Sequence, residues 1–445
     1  MILEEWIPKE VNGVRLTDQE RKIYETLLKV AEARQGDVSL RPRVVVITDL
    51  AKDYDDLAAM VVLKELHRLG IIELLGFIAN LEPASRRAQF GRGALDQLGL
   101  KSIRIAEGTS GFPDPEDGKP NRRHKVETYE FDCPFMAREE DPRLLKGGNS
   151  EERLMGQELL EELCESAQKT GQKLTLLLIS SLEDIHKFSA VPRLSRKHKK
   201  LLRNSISNIV LQGGYQISPE GKVLPIDSAN NNRYDPTAAR EFHTRMQDAE
   251  INSTVYTKTA AIAATLDPEV FAQLAQTRNH VGEHLWKVQK SQDLAFYRNA
   301  SELEPEKRFR ADLDQANFLR TRTNWFDNHT TPPDKFPDGE EISNFTRVVV
   351  YDALAAVGVS GDDALAALGV LDLPPMDELL RERTEVRVAK ERHKIVGVEG
   401  VSSGIHARRM VTVLSALLKG SLMSPPSLSE QPPPFSASFH GASIT

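Results

Sequence analysis

The sequence has 445 residues, 40% hydrophobic and 28% charged, which is typical of a globular protein with a sizeable core. Its net charge of −7 and its pI near 6.0 argue against a nucleic-acid partner. It contains no apolar run of the roughly 18 residues that a membrane span needs. The start "MILEEWIPKE" lacks the apolar core of a secretory signal. With only Cys133 and Cys164 as cysteines, we expect a cytoplasmic protein without membrane contact.

The first predicted element is an amphipathic helix over residues 17–34, "TDQERKIYETLLKVAEAR". Thr17 suits the N-cap, and Glu20 completes a capping box with it. The helix precedes the first predicted strand. Residues 1–41 are therefore assigned to an N-terminal helical extension, and residues 42–423 to the main domain.

Beyond this helix, short β-branched runs alternate with helical patterns. That alternation predicts an α/β fold, with a mostly parallel sheet and helices on both faces. The predicted strands are 43–49, 71–79, 102–108, 173–181, 207–214 and 252–257, and the predicted helices include 55–69, 86–98, 151–169 and 235–246.

Three stretches depart from this alternation. Residues 109–150 are rich in Pro, Gly and charge and are expected to form a surface loop or lid. Residues 301–345 suit an insertion beside a binding site. Within it, Trp325 and His329 could cover a nucleobase, or His329 could be a plain exposed loop residue. The proline-rich tail 424–445 is expected to be disordered.

The stretch "VVVITDLAKDYDDLAAM" (44–60) places four aspartates at and after the end of the first strand. Ligands of parallel sheets bind at this edge. A helix N-terminus also favours acidic residues, which would explain one or two of them without any ligand. Four carboxylates this close repel one another unless a cation, a proton or a polyol lies between them.

This stretch resembles the N-terminal motif of the inosine/uridine-preferring nucleoside hydrolase family, Asp-x-Asp-x-x-x-Asp-Asp. Asp49 matches the first aspartate, and Asp55 and Asp56 match the closing pair. Ala51 replaces the second aspartate, which in the family binds calcium and activates the attacking water. Asp53 stands where the family usually has glycine and could return a carboxylate to the loop.

Later segments resemble the family in the same order along the chain, over roughly residues 42–420. Glu183 occupies the position whose backbone carbonyl binds calcium, and Asn231 that of a ribose-binding asparagine. Ala229 replaces a glutamate that holds the sugar. The resembling segments are 74–80, which ends at Asn80, and 92–109, 176–185, 208–215, 230–241 and 348–359.

The last of these segments carries Tyr351 and Asp352. Asp352 matches the family's final calcium-binding aspartate, and Tyr351 replaces its histidine. Taken alone, this pair reads as a strand-to-helix boundary with an N-capping aspartate. Its position beyond the fifth strand favours the resemblance.

The resemblance implies a hydrolase of N-glycosidic bonds in a ribonucleoside or related ribosyl compound, acting with Ca²⁺ and a bound water. Asp49 or Asp53 would act as base and Tyr351 would contact the leaving group. The implied metal ligands are Asp49, Asp56, Glu183 and Asp352, and the implied substrate ligands are Asp55, Asn80 and Asn231.

Two alternatives stay open. The chain could be a non-catalytic relative that keeps a metal- or sugar-binding pocket, which the loss of the aspartate at Ala51 favours. It could also hydrolyse a different glycoside in a reshaped pocket. The sequence leaves homo-oligomerisation open.

Overall fold

Parallel strands form the centre of the structure, a computed structural model that describes residues 2–35, 37, 40–114, 124–148, 151–190, 197–309, 311, 313–328, 337–371, 392–397 and 406–425. The strands are β1 (Arg43–Thr48), β2 (Glu73–Ala79), β3 (Arg104–Glu107), β4 (Leu174–Leu178), β5 (Ile206–Gln212), β6 (Tyr215–Ile217), β7 (Val223–Pro225), β8 (Asn252–Tyr256) and β9 (His393–Val396). Within the described residues, seven of them form one parallel sheet in the order β3-β2-β1-β4-β5-β8-β9. Strands β6 and β7 form a separate antiparallel hairpin.

Helices connect the strands and cover the sheet, as the alternating pattern predicts. They are α1 (Asp18–Ala33), α2 (Tyr54–Arg68), α3 (Ala84–Gln97), α4 (Gly156–Thr170), α5 (Glu183–Ala190), α6 (Lys197–Ser205), α7 (Asn230–Tyr234), α8 (Pro236–Asp248), α9 (Lys258–Ala263), α10 (Pro268–Gln276), α11 (His280–Ala300), α12 (Gln315–Arg322), α13 (Trp325–Asn328), α14 (Gly339–Ile342), α15 (Tyr351–Gly358), α16 (Asp362–Leu368) and α17 (Ala407–Met423). None of the helices in the described ranges is long and apolar enough to cross a membrane.

Strand β1 shows how the sheet separates two hydrophobic layers. Side chains alternate between the faces of a strand. Val44 and Val46 therefore join the core that includes α2, α15 and α17, whereas Val45 and Ile47 join the core that includes α4 and α8. All four side chains are buried. A continuous apolar strand of this kind indicates a sheet covered on both faces, so the expected α/β architecture is confirmed.

The predicted elements differ from the structure mainly in the second half of the chain. The six predicted strands are present, with ends that shift by a few residues. The edge strand β9 and the β6–β7 hairpin have no counterpart among the predictions, because four- and three-residue strands carry too few positions for a periodic pattern. The 301–345 stretch contains helices α12, α13 and α14, which pack around Trp325, Phe318 and Ile342. His329 and the tail beyond residue 425 lie outside the described residues.

The N-terminal helix α1 has the expected capping box. Glu20 N–H donates to Thr17 Oγ1 at 3.3 Å, and Thr17 N–H donates to Glu20 Oε2 at 2.8 Å. Glu20 is also buried against α17, where Ser415 Oγ donates to it at 2.6 Å and Lys419 Nζ lies 2.6 Å from it. The helix is therefore joined to the last helix of the main domain by a buried ion pair.

A second buried contact joins α1 to α2. The Tyr24 hydroxyl donates to Glu65 Oε1 at 2.7 Å, and Arg68 Nη2 donates to the same oxygen at 2.6 Å. Burial raises the pKa of Glu65, but the charges of Arg68 and Lys64 outweigh it and lower that pKa to about 2. Tyr24 therefore donates its hydrogen bond to an ionised carboxylate in the core.

Replacing Tyr24 with Phe tests this contact. The variant Tyr24→Phe removes one donor from the buried Glu65 carboxylate, and we expect the free energy of unfolding to fall by about 1–3 kcal/mol. Urea unfolding followed by circular dichroism measures the change. Tyr256→Phe is the matched control, since both tyrosines are 0% exposed but the Tyr256 hydroxyl has no hydrogen-bond partner among the described residues. Equal losses in the two variants would contradict the assignment.

Buried histidines make the stability of the fold depend on pH. Burial lowers the pKa of His243 to about 3, with a further contribution from the charge of His393. Burial likewise lowers the pKa of His284 and of His393 to about 4. These histidines are neutral in the folded chain, whereas unfolded histidine binds a proton near pH 6.5. Their stabilising contribution is thus complete above about pH 6.5 and declines as the pH falls towards the folded values.

We therefore expect these histidines to contribute a decrease in the free energy of unfolding between pH 6.5 and pH 5, opposite in sign to the contribution of carboxyl groups whose folded pKa is raised. The variant His243→Phe, which keeps an aromatic ring against Tyr215 at 4.5 Å, should reduce this slope by up to about one proton. Denaturant unfolding at several pH values measures the slope. His280→Phe, at a side chain that is 55% exposed, is the control for replacing a histidine outside the core. An unchanged slope in His243→Phe would be the contrary result.

Candidate functional site

The loop between β1 and α2 carries the acidic motif at the carboxyl edge of the sheet. Ala51 is buried and has φ +72°, a left-handed conformation that only a few per cent of non-glycine residues adopt. The turn is closed by a hydrogen bond from Lys52 N–H to the Asp49 carbonyl at 3.1 Å. Asp53 then takes the N-cap position of α2, but its side chain makes no capping hydrogen bond. Its carboxylate is therefore left to the site.

Four carboxylates come together here. Asp53, Asp55, Asp56 and Asp352 each offer one oxygen, and these oxygens all lie within 4.8 Å of one another. We call these four residues the acidic cluster. Asp352 reaches it from the first turn of α15, far along the chain. Tyr54 links the two segments, since its hydroxyl donates to the Val349 carbonyl and accepts from Val349 N–H, both at 3.3 Å.

The electrostatics of the acidic cluster are unfavourable without a cation. Burial raises the pKa of Asp55, Asp56 and Asp352 well above the usual range, and nearby carboxylates raise each of them further. Asp53 behaves differently: burial raises its pKa, but the charge of Lys52 contributes to an overall decrease to about 2. Asp53 is therefore ionised, and it lies beside three carboxyl groups whose ionisation is disfavoured.

Lys52 is the cation beside the acidic cluster. Its Nζ lies 3.0 Å from Asp49 Oδ2 and 3.3 Å from Asp53 Oδ2, and it stands 5.6 Å from the centre of the Tyr234 ring. Burial lowers the pKa of Lys52, but the charges of Asp49 and Asp53 outweigh this and raise it well above its ordinary value. The ammonium is charged and partly neutralises the loop.

Two buried oxygens of the acidic cluster lack a hydrogen-bond donor among the described residues. Asp56 Oδ1 accepts from Thr48 Oγ1 and, at 3.1 Å, from Asp49 N–H. Asp56 Oδ2 and Asp53 Oδ1 have no hydrogen-bond partner in the described part of the chain. A buried carboxylate oxygen without a partner is costly. Metal ligands that are all oxygens, in this arrangement, suit a hard divalent cation, so the residues present fit a metal.

The structure brings Asp56 and Asp352 together, as the sequence motifs require, and adds Asp53 and Asp55 to the same group. The side chains of the two other residues expected to bind a metal each lie beside a lysine, but at Glu183 the expected ligand is the backbone carbonyl, which the ion pair does not involve. Asp49 pairs with Lys52, and Glu183 Oε1 lies 2.8 Å from Lys187 Nζ. The roles of Asp49 and Glu183 towards a metal stay predictions.

The two asparagines expected to bind substrate lie at the ends of other strands. Asn80, which follows β2, is 0% exposed and donates to the Ser181 carbonyl at 3.0 Å and to Asp184 Oδ2 at 2.8 Å. Its Oδ1 accepts from Ser180 Oγ. Asn231, in α7, donates to Gln212 Oε1 at 3.0 Å. The amide of Asn80 therefore holds strand ends together, and its role towards substrate stays a prediction.

Tyr351 lies beside the acidic cluster on α15 and is half-buried. Its hydroxyl accepts a hydrogen bond from Arg322 Nη1 at 3.2 Å, so the 301–345 stretch reaches the site through α12. Asp293 on α11 is a further, partly buried acid near Tyr54, and desolvation raises its pKa to about 6 despite the opposing charge of Arg322. Neither Arg322 nor Asp293 belongs to a recognisable sequence pattern.

The 109–150 stretch also contacts the loop. Glu130 is buried and accepts from Arg87 Nη2 at 2.9 Å, and the same guanidinium donates to the Leu50 carbonyl at 2.9 Å and to the Asp49 carbonyl at 3.3 Å. The carboxylate of Asp53 contributes to the raised pKa of Tyr129, after burial. This segment therefore borders the acidic residues.

Sequence reasoning missed Lys52, although it lies inside the quoted motif. Its position between Ala51 and Asp53 was the available signal. Arg87, Glu130, Tyr234 and Arg322 are brought to the site by tertiary structure and had no such signal.

Comparisons with known proteins place the fold. No protein-family model matches the sequence, and no curated protein matches it. The type III effector protein XopQ, crystallised with adenosine diphosphate ribose, is 22% identical, with 92% of this chain and 99% of that chain covered and a TM-score of 0.65. The effector protein XOO4466 is 21% identical, with 92% and 100% covered and a TM-score of 0.65. A purine-preferring ribonucleoside hydrolase from Gardnerella vaginalis is 13% identical, with 86% and 99% covered and a TM-score of 0.47.

These likenesses show the fold alone. The nucleoside-hydrolase-like α/β fold expected from the sequence is confirmed. At these identities they leave the activity to be argued from the site itself.

Asp352→Asn tests the repulsion within the acidic cluster. Because the folded pKa of Asp352 is raised, its contribution favours the fold below the unfolded pKa near 3.9 and turns unfavourable as the pH rises. In the presence of a chelator at pH 7, we expect the variant to unfold at a higher temperature, with a gain of about 1 kcal/mol or more. Asp227→Asn, at a residue 55% exposed, should change nothing. A lower melting temperature for Asp352→Asn would contradict the repulsion.

Proposed function

We propose that the chain hydrolyses the N-glycosidic bond of a ribonucleoside or a related ribosyl compound. The observation that carries the proposal is the acidic cluster, with the buried and unpartnered oxygens of Asp53 and Asp56. It lies at the carboxyl edge of a parallel sheet, where ligands of such sheets bind. The unpaired Cys133 and Cys164 support a cytoplasmic location as part of the same proposal.

A divalent cation is part of the proposal, and we take it to be calcium. Asp53, Asp55, Asp56 and Asp352 supply carboxylate oxygens within 4.8 Å of one another, and calcium accepts several oxygen ligands at flexible geometry. When bound, such an ion orients sugar hydroxyls and a water and stabilises developing charge. Asp49 and the backbone carbonyl of Glu183 are proposed as further ligands.

The chain's own residues bind and activate the substrate around this group. Asp55 would accept hydrogen bonds from ribose hydroxyls, with Asn231 and Asn80 at the neighbouring strand ends. Asp53 would accept the proton of the attacking water, since it is ionised and Ala51 offers no carboxylate. Asp49 is the alternative base. An oxocarbenium-like sugar would be stabilised by the surrounding carboxylates.

Tyr351 would contact the leaving group. Its oxygen already accepts a hydrogen bond from Arg322, so its own O–H remains available to donate. Arg322 would therefore hold the Tyr351 hydroxyl in the position where the resembling family has histidine.

A second candidate is a binding protein for ribosyl compounds without catalysis. Two observations favour it: Ala51 supplies no base, and Lys52 pairs with Asp49, the alternative base. In this case the site keeps the cation and sugar contacts but lacks a group that deprotonates water.

A substrate panel distinguishes the two candidates. It comprises purine and pyrimidine ribonucleosides and adenosine diphosphate ribose, the compound with which XopQ was crystallised. Release of base or free ribose is measured with the wild type, Asp53→Asn and Ala51→Asp. Under the hydrolase proposal the wild type turns over, and Asp53→Asn loses about a hundredfold or more in kcat because a general base is removed.

Asp227→Asn is the control for expression and folding and should keep full activity. Suppose instead that the wild type binds a panel compound by calorimetry without turnover, and that Ala51→Asp gains hydrolysis. The binding candidate then replaces the hydrolase.

A further inference from the structure

Lys52 lies beside the acidic cluster, and the proposed hydrolysis gives it no role. Its side chain is 19% exposed, and its ammonium contacts Asp49 Oδ2 at 3.0 Å and Asp53 Oδ2 at 3.3 Å. The other oxygen of Asp53, Oδ1, is buried and has no hydrogen-bond partner among the described residues, and Asp53 belongs to the acidic cluster. Asp53 is thus shared between a protein cation and a candidate metal position.

The backbone of the loop that carries Lys52 is held by several hydrogen bonds. The left-handed turn at Ala51 directs the chain back, and Lys52 N–H closes it on the Asp49 carbonyl. Arg87, itself buried, donates to the carbonyls of Asp49 and Leu50 and is held in turn by Glu130. These contacts hold the backbone on the N-terminal side of Lys52, so its side chain starts from a fixed position.

We propose that Lys52 is a tethered counter-cation that competes with a divalent cation for the carboxylates of this site. The proposal rests on the metal site of the proposed function and deepens it. Without metal, the ammonium compensates part of the repulsion between the carboxylates. With a metal bound, the ammonium and the metal ion would both contact Asp53, and two positive charges would lie close to each other.

The physical basis is charge balance at short range. Asp49 and the four residues of the acidic cluster carry up to five negative charges, against the single positive charge of Lys52. Like charges separated by a few ångströms in a partly buried site repel strongly. Asp56 Oδ2 is buried and has no hydrogen-bond partner among the described residues, and the ion pairs of Lys52 go to Asp49 and Asp53 instead. Lys52 therefore satisfies one side of the site and leaves the other for an ion.

Calcium titration of purified protein tests the proposal without any activity assay. The variants are Lys52→Met, which removes the charge, and Lys52→Arg, which keeps it. We expect Lys52→Met to bind CaCl2 at least about tenfold more tightly than the wild type by calorimetry. Its melting temperature should be lower in chelator, and calcium should raise it by more than in the wild type. Lys52→Arg should stay close to the wild type.

Lys394→Met is the matched control. Lys394 is 18% exposed and pairs with Asp362, outside the acidic cluster, so its loss should leave calcium binding unchanged.

If Lys52→Met is poorly folded, Lys52→Gln serves as the second neutral variant. A merely structural role for Lys52 predicts an equal loss of stability with and without calcium, and this result would overturn the proposal. A wild type that binds calcium while Lys52→Met binds it no more tightly would overturn it too. If no variant responds to CaCl2 or MgCl2, both this inference and the proposed metal site fail.

Discussion

The repulsion between buried carboxylates is the constraint on which the site depends. Asp53, Asp55, Asp56 and Asp352 are held within 4.8 Å of one another by backbone segments that are far apart in the chain. A protein does not gather such charge for stability, since each burial costs free energy that only a partner can offset. The surrounding structure is arranged around this cost. Thr48 and the backbone N–H of Asp49 donate hydrogen bonds to one oxygen of Asp56, and the ammonium of Lys52 pairs with Asp53.

The strand order explains how the chain can hold the carboxylates in place. Strand β1 lies inside the sheet, between β2 and β4, so the loop that follows it starts from a rigid and fully buried position. Helix α15 packs on α2 in the same core, and Tyr54 joins their first turns through Val349. Strain at Ala51 and repulsion in the cluster persist because this frame fixes both segments.

How far the sequence predicts this arrangement differs between the fold and the site. Strand β1 and its loop were predictable, because a continuous apolar run ending in aspartates has few other interpretations. The order of the later segments led to Asp352. The edge strand β9 and the helices of the 301–345 stretch were missed, since short elements lack a periodic signal. Contacts such as Arg322 with Tyr351, or Arg87 with Glu130, come from tertiary packing between distant segments and leave no local pattern.

Ala51 and Lys52 are best understood together. A carboxylate at position 51 would add a further negative charge to a loop that already carries Asp49 and Asp53, whereas Ala51 adds none and Lys52 brings a positive charge. This difference in charge weakens the hold on a divalent cation and favours a site that remains stable without one. Asp53 remains ionised, since the net effect of its neighbours lowers its pKa to about 2. Its Oδ1 has no hydrogen-bond partner among the described residues. A base of this kind is weak but always deprotonated near neutral pH, so its catalytic value depends on how acidic the bound water becomes. The adjacent residues Ala51 and Lys52 therefore bear on both the affinity for a cation and the turnover of substrate.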